Sequence, residues 1–99
     1  MMHNIIWDGA VLEGGALHLG DYCIISQSDL TNIIVHIGNN CIIKNCYLAN
    51  MTIYIDNNCE FDQCAFSNTI IHYGNNNIIH FCHFSGKINM EESHTIKIE

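Results

Sequence analysis

The histidines and cysteines are the residues of this 99-residue chain best suited to bind a metal or move a proton, and most recur at one interval. His18, His36 and His72 are separated by eighteen residues or twice that, and Tyr54 fills the missing place. Such a column could hold a metal or relay protons, since a neutral imidazole both donates and accepts. The cysteines form two series at the same interval, Cys23, Cys41, Cys59 and Cys46, Cys64, Cys82. Gathered thiolates would suit zinc. His80 and His83 flank Cys82, and asparagines recur as Asn39-Asn40, Asn57-Asn58, Asn75-Asn76-Asn77 and as Asn32, Asn50, Asn68.

The elements that must carry these residues follow from the interval itself. Gly20-Asp21-Tyr22-Cys23-Ile24-Ile25 returns as Gly38-Asn39-Asn40-Cys41-Ile42-Ile43, as Asp56-Asn57-Asn58-Cys59-Glu60-Phe61 and as Gly74-Asn75-Asn76-Asn77-Ile78-Ile79. An unbroken period of this length is the mark of a stacked repeat. Small-x-large pairs alternate with period two, which predicts short strands. Cys23/Ile25, Ser28/Leu30 and Val35/Ile37 line one coil on three sides, and Cys41/Ile43, Cys46/Leu48 and Ile53/Ile55 line the next. The sequence therefore predicts an all-β fold. It is a single small triangular parallel β-helix, a β-solenoid of about five 18-residue coils spanning residues 1–99. Residues 2–19 form a degenerate first coil, with Leu12, Leu17 and Leu19 in the repeat's columns. Residues 20–91 form four regular coils, and 92–99 a terminal strand or cap beginning near Thr95.

Stacking gives these columns structural duties. Thiols on adjacent coils run parallel, so their Cβ atoms stay about as far apart as their Cα atoms and disulfides are disfavoured. The cysteines are expected to be the small inward residue of each pair, a role suited to a compact, weakly polar side chain. Asn tolerates left-handed backbone and bonds nearby main chain, so its columns are expected to be turn ladders. No carboxylate column accompanies His18, His36 and His72. No catalytic, cofactor or metal set is expected.

Composition narrows the partners. Three lysines, no arginine and ten acids give a net charge of −7. Direct nucleic-acid binding needs a basic face and is disfavoured. The acids scatter, with only Asp8 and Asp62 sharing a strand column, which argues against mimicry of a duplex. No run of apolar residues approaches a membrane span, and no basic segment followed by a long apolar one opens the chain, so a cytoplasmic protein is expected.

Units such as Cys41-Ile42-Ile43-Lys44-Asn45-Cys46-Tyr47-Leu48-Ala49-Asn50 and Asn77-Ile78-Ile79-His80-Phe81-Cys82-His83-Phe84-Ser85-Gly86 resemble parallel β-helix repeats of the pectate-lyase-like kind. Ile37-Gly38-Asn39-Asn40-Cys41 also resembles the hexapeptide-repeat β-helix of bacterial acyltransferases, and strings of this type occur in the solenoid part of capsular-polysaccharide acetyltransferases. The resemblance covers residues 19–90 and implies a fold, since function resides in sites carried on folds. The large inward residues are spaced six, five and seven apart rather than six throughout, which leaves the hand of the helix open. The transferases pair a His base with an acyl-thioester donor, and no residue here matches such a motif.

Two outward apolar columns remain, Ile6, Ile24, Ile42, Ile78 and Ala16, Ile34, Thr52, Ile70, Ile88, the second beside the His/Tyr column. Contiguous apolar surface marks an interaction site. The sequence thus predicts a homodimer or a protein partner held through Ile34, His36, Tyr54, Ile70 and His72. The expected role is a non-catalytic binding or inhibitory module, such as a phage or mobile-element protein that blocks a host defence complex of the CRISPR–Cas type. The alternative is a small or degenerate hexapeptide-type sugar or polysaccharide acyltransferase.

Overall fold

Three left-handed residues, five positions apart, bend each coil, as the computed structural model of residues 2–91 and 96–98 shows. They are Tyr22, Gln27 and Asn32 in the second coil, Asn40, Asn45 and Asn50 in the third, Asn58, Gln63 and Asn68 in the fourth, all with φ between 48° and 60°. Phe81 and Gly86 continue two of these columns, and Gly9 and Gly14 begin them. The two expected asparagine ladders are therefore present. A third column, Gly9, Gln27, Asn45, Gln63 and Phe81, turns the remaining corner.

Between corners lie short strands. The first face holds β1 (Ile6–Asp8), β4 (Ile24–Ser26), β7 (Ile42–Lys44), β10 (Glu60–Asp62), β12 (Asn77–His80) and β14 (Ile96–Ile98) in one parallel sheet in that order. The second holds β2 (Val11–Glu13), β5 (Asp29–Thr31) and β8 (Tyr47–Ala49). The third holds β3 (Ala16–Leu19), β6 (Ile34–Ile37) and β9 (Thr52–Ile55). Two longer strands, β11 (Ala65–Tyr73) and β13 (His83–Glu91), pass from the second face to the third, joining them as one eight-stranded sheet. The chain is thus an all-β solenoid of about five parallel coils, without a helix among the described residues. Thr95 lies outside the described residues, but β14 covers the last coil by pairing with β12, Asn77 opposite Ile96 and Ile79 opposite Ile98.

The inward pairs are where the period puts them. Cys23, Ile25, Leu30, Val35, Cys41, Ile43, Cys46, Leu48, Ile53, Cys59, Phe61, Cys64, Phe66, Ile71 and Ile79 are almost fully buried. The third face carries one inward residue more than the sequence shows. Ile33, Met51 and Thr69, just beyond a corner, are also buried. Polar residues in the small slots are satisfied: the Ser28 hydroxyl donates to the Ser26 carbonyl (2.9 Å) and the Thr69 hydroxyl to the Ser67 carbonyl (2.9 Å). Asn77 accepts from the Cys59 N–H (2.8 Å) and donates to the Asp56 carbonyl (2.9 Å).

The last coil departs from the period. Ser67 pairs with Ser85 at a step of eighteen, but Thr69 pairs with Ile88 across a bulge. The extra residue follows Gly86, whose φ of 68° turns the corner while Lys87 N–H donates to Asn68 Oδ1 (3.0 Å). One added residue exchanges inside for outside. Ile88 therefore packs against the core with Met90 instead of extending the outward column of Ile34 and Ile70, and Asn89 takes the place opposite Ile70.

Candidate functional site

All five residues expected at an interface lie on the third face. Four-residue strands with period-two alternation send Val35 and Ile37 inward, so Ile34 and His36 project outward, and the parallel register repeats this at Thr52/Tyr54 and Ile70/His72. The rings of His18, His36, Tyr54 and His72 stack in one ladder with centroids 4.4, 4.5 and 4.4 Å apart and planes within 15° of parallel. The spacing is close to the strand separation of about 4.8 Å, so the in-register sheet brings the rings into stacking distance. Ile34 is 48% exposed and Ile70 39%, and they stand in one column beside the ladder, two residues away. The result is a stiff, ridged, largely uncharged surface in a strongly acidic chain.

A groove of about 310 Å3 runs beside the ladder, lined by His18, His36 and Tyr54 and by Asp21 and Asp56 at the neighbouring corner. Looking along strand columns misses these two acids, because they lie past the end of the strand. Asp21 is committed elsewhere. Its Oδ1 accepts from the Asn39 N–H (2.7 Å), and the pattern climbs the corner as Asn39 Oδ1 accepts from Asn57 N–H (3.0 Å) and Asn57 Oδ1 from Asn75 N–H (2.7 Å). This carboxylate orders a turn rather than an imidazole.

His80 and His83 are parted by a corner. His83 starts β13 on the second face, while His80 ends β12 on the first. There His80 meets two acids from β10. Its Nε2 is 3.1 Å from Glu60 Oε2 and 3.7 Å from Asp62 Oδ1. Asp62 Oδ1 is a buried atom with no hydrogen-bond partner. The signal was present as simple addition, since residue 80 stands one repeat above residue 62.

The cysteines occupy the small inward slots, and their thiols donate to carbonyls, as Cys59 does to Gly38 (3.0 Å) and Cys41 to Gly20 (3.3 Å). Burial pushes the Cys59 thiol up to about 12 and raises Cys41 as well. Hydrogen bonding with Cys46 and Cys82 raises Cys64 further. At the exposed end of that column, the bond from Cys64 lowers Cys82 to about 7. These are core groups, with Cys82 alone half-buried.

Comparison with known protein families, curated proteins and solved structures finds no match.

Proposed function

We propose that this chain is a non-catalytic protein-binding module that works through its third face, and that a second copy of the chain is the first occupant of that face. The observation that carries the proposal is the four-ring ladder with Ile34 and Ile70 exposed in the column beside it. Rigid aromatic surface gives large contact area at little entropic cost, which is why such residues anchor interfaces. Charge favours self-association here. Over the first four coils the outward columns Ala16, Ile34, Thr52, Ile70 and His18, His36, Tyr54, His72 hold no acid, the first being Glu91 opposite His72 in the last coil. Two chains of net charge −7 therefore meet over those coils with reduced repulsion.

No helix among the described residues is long and apolar enough to cross a membrane. The finer proposal is a cytoplasmic inhibitor whose rigid face blocks a larger assembly, such as a phage or mobile-element protein acting on a CRISPR–Cas complex. Small size and acidic balance support it. Photo-cross-linking tests the surface: a benzophenone side chain replacing Tyr54 is expected to capture a second copy or a foreign protein in cells, while one replacing Thr31 on the second face captures neither. Equal capture from both positions, or none from position 54, would overturn the proposal. A thermal shift with acetyl-CoA checks the transferase alternative, and clear stabilisation would favour it.

A further inference from the structure

We propose that Glu60, Asp62 and His80 form a binding site on the first face for a first-row divalent cation such as Zn2+. The site is independent of the third-face reading and is built by the fold's two periods. Glu60 and Asp62 are two residues apart on β10 and so project from the same face. The parallel register brings His80 of β12 directly over Asp62. One donor atom from each of the three residues lies within 4.8 Å of the others. Ligand atoms bound at about 2.1 Å to a common ion stand roughly 3.0–3.4 Å apart, close to the 3.1 and 3.7 Å found around His80 Nε2.

Hydrogen bonding leaves one oxygen of the cluster without a donor. A proton on His80 Nε2 serves Glu60 Oε2 at 3.1 Å, and 3.7 Å to Asp62 Oδ1 is beyond hydrogen-bond reach. Asp62 Oδ1 is then a buried acceptor without a donor, a condition costing about 1–3 kcal/mol. A cation between the three residues satisfies that oxygen, uses the neutral imidazole as a nitrogen ligand and has its two charges balanced by the two carboxylates. A mixed imidazole and carboxylate set favours Zn2+ over Mg2+ or Ca2+, which prefer oxygen alone. The Phe81 ring lies 5.3 Å from the His80 ring and steadies it, although Phe81 holds a left-handed φ of 56° and is 73% exposed. Lys44, one coil below Asp62 in the same column, is a competing cation along the sheet.

Calorimetric titration of the full chain with Zn2+ in a non-chelating buffer at pH 7.5 tests the site. One equivalent is expected to bind, with affinity at least tenfold weaker in each of Glu60→Gln, Asp62→Asn and His80→Gln. His83→Gln and His36→Gln are expected to leave it within twofold, and Lys44→Ala to strengthen it severalfold. Circular dichroism checks that each variant folds, and the nearly isosteric Glu60→Gln keeps the test decisive should another variant misfold. Absence of Zn2+ binding by the native chain, undiminished binding in Glu60→Gln or His80→Gln, or Mg2+ binding as tight as Zn2+ would overturn the proposal.

Discussion

Gly38 lies so close over the coil beneath that a methyl group has no room. A Cβ there would stand 2.5 Å from Asp21 Oδ1 and 2.7 Å from the Gly20 carbonyl carbon. Gly38→Ala is therefore expected to lower unfolding stability by about 1–3 kcal/mol, measured by urea denaturation. Gly9, whose φ is 77° and around which space is open, should accept Asn with little change. The buried thiols add a dependence on pH. Folded Cys59 keeps its proton to about 12, whereas the unfolded thiol loses it near 9. Between those values the native state holds more protons, so the contribution is complete below pH 9 and disappears as pH rises. Between pH 8 and 10.5 the native chain should lose about 2 kcal/mol more than Cys59→Ala does in the same titration of stability. Parallel profiles for the two proteins would contradict this.

At the scale of the element, the corner columns are the parts whose energetics are least shared. Tyr22 holds a φ of 60° in the column otherwise occupied by Asn4, Asn40, Asn58 and Asn76, and it is 60% exposed. Tyr22→Asn is expected to raise stability by about 0.5–1 kcal/mol, and Asn58→Val to lower it by about 1–2 kcal/mol, both by thermal denaturation. These corners also explain how much the sequence reveals. In a parallel in-register stack, residue i lies over residue i−18, so the thiol, asparagine and His/Tyr columns are legible from spacing alone. Ile33, Met51 and Thr69 are less legible, because a left-handed corner interrupts the alternation and restarts it inward. Ile88 defeats the period altogether, since the bulge after Gly86 inserts a residue that no neighbouring coil has. The His80 cluster is half legible: Asp62 shares its column, while Glu60 reaches it only by its diagonal position on the next strand.

For the whole molecule, the size of the third face sets the strength of association. The four strands that carry the ring ladder, about 4.8 Å apart and each contributing four residues of about 3.3 Å, present roughly 250 Å2 of flat area. Even with rough surfaces on both copies, the buried total falls short of the roughly 1,200–2,000 Å2 typical of stable complexes. Self-association should thus be weak and depend on concentration, leaving the face available to a better-fitting protein. Substituting Ile34 and Ile70, exposed in the column beside the ring ladder, should abolish it without touching the core. Light scattering coupled to size-exclusion chromatography, run from about 10 μM to 1 mM, measures this directly. The native chain should rise from monomer toward dimer mass over that range, while the double variant Ile34→Glu, Ile70→Glu stays monomeric. A native chain that remains a clean monomer at the highest concentration, or a double variant that dimerises equally well, would contradict the assignment of the third face as the contact surface.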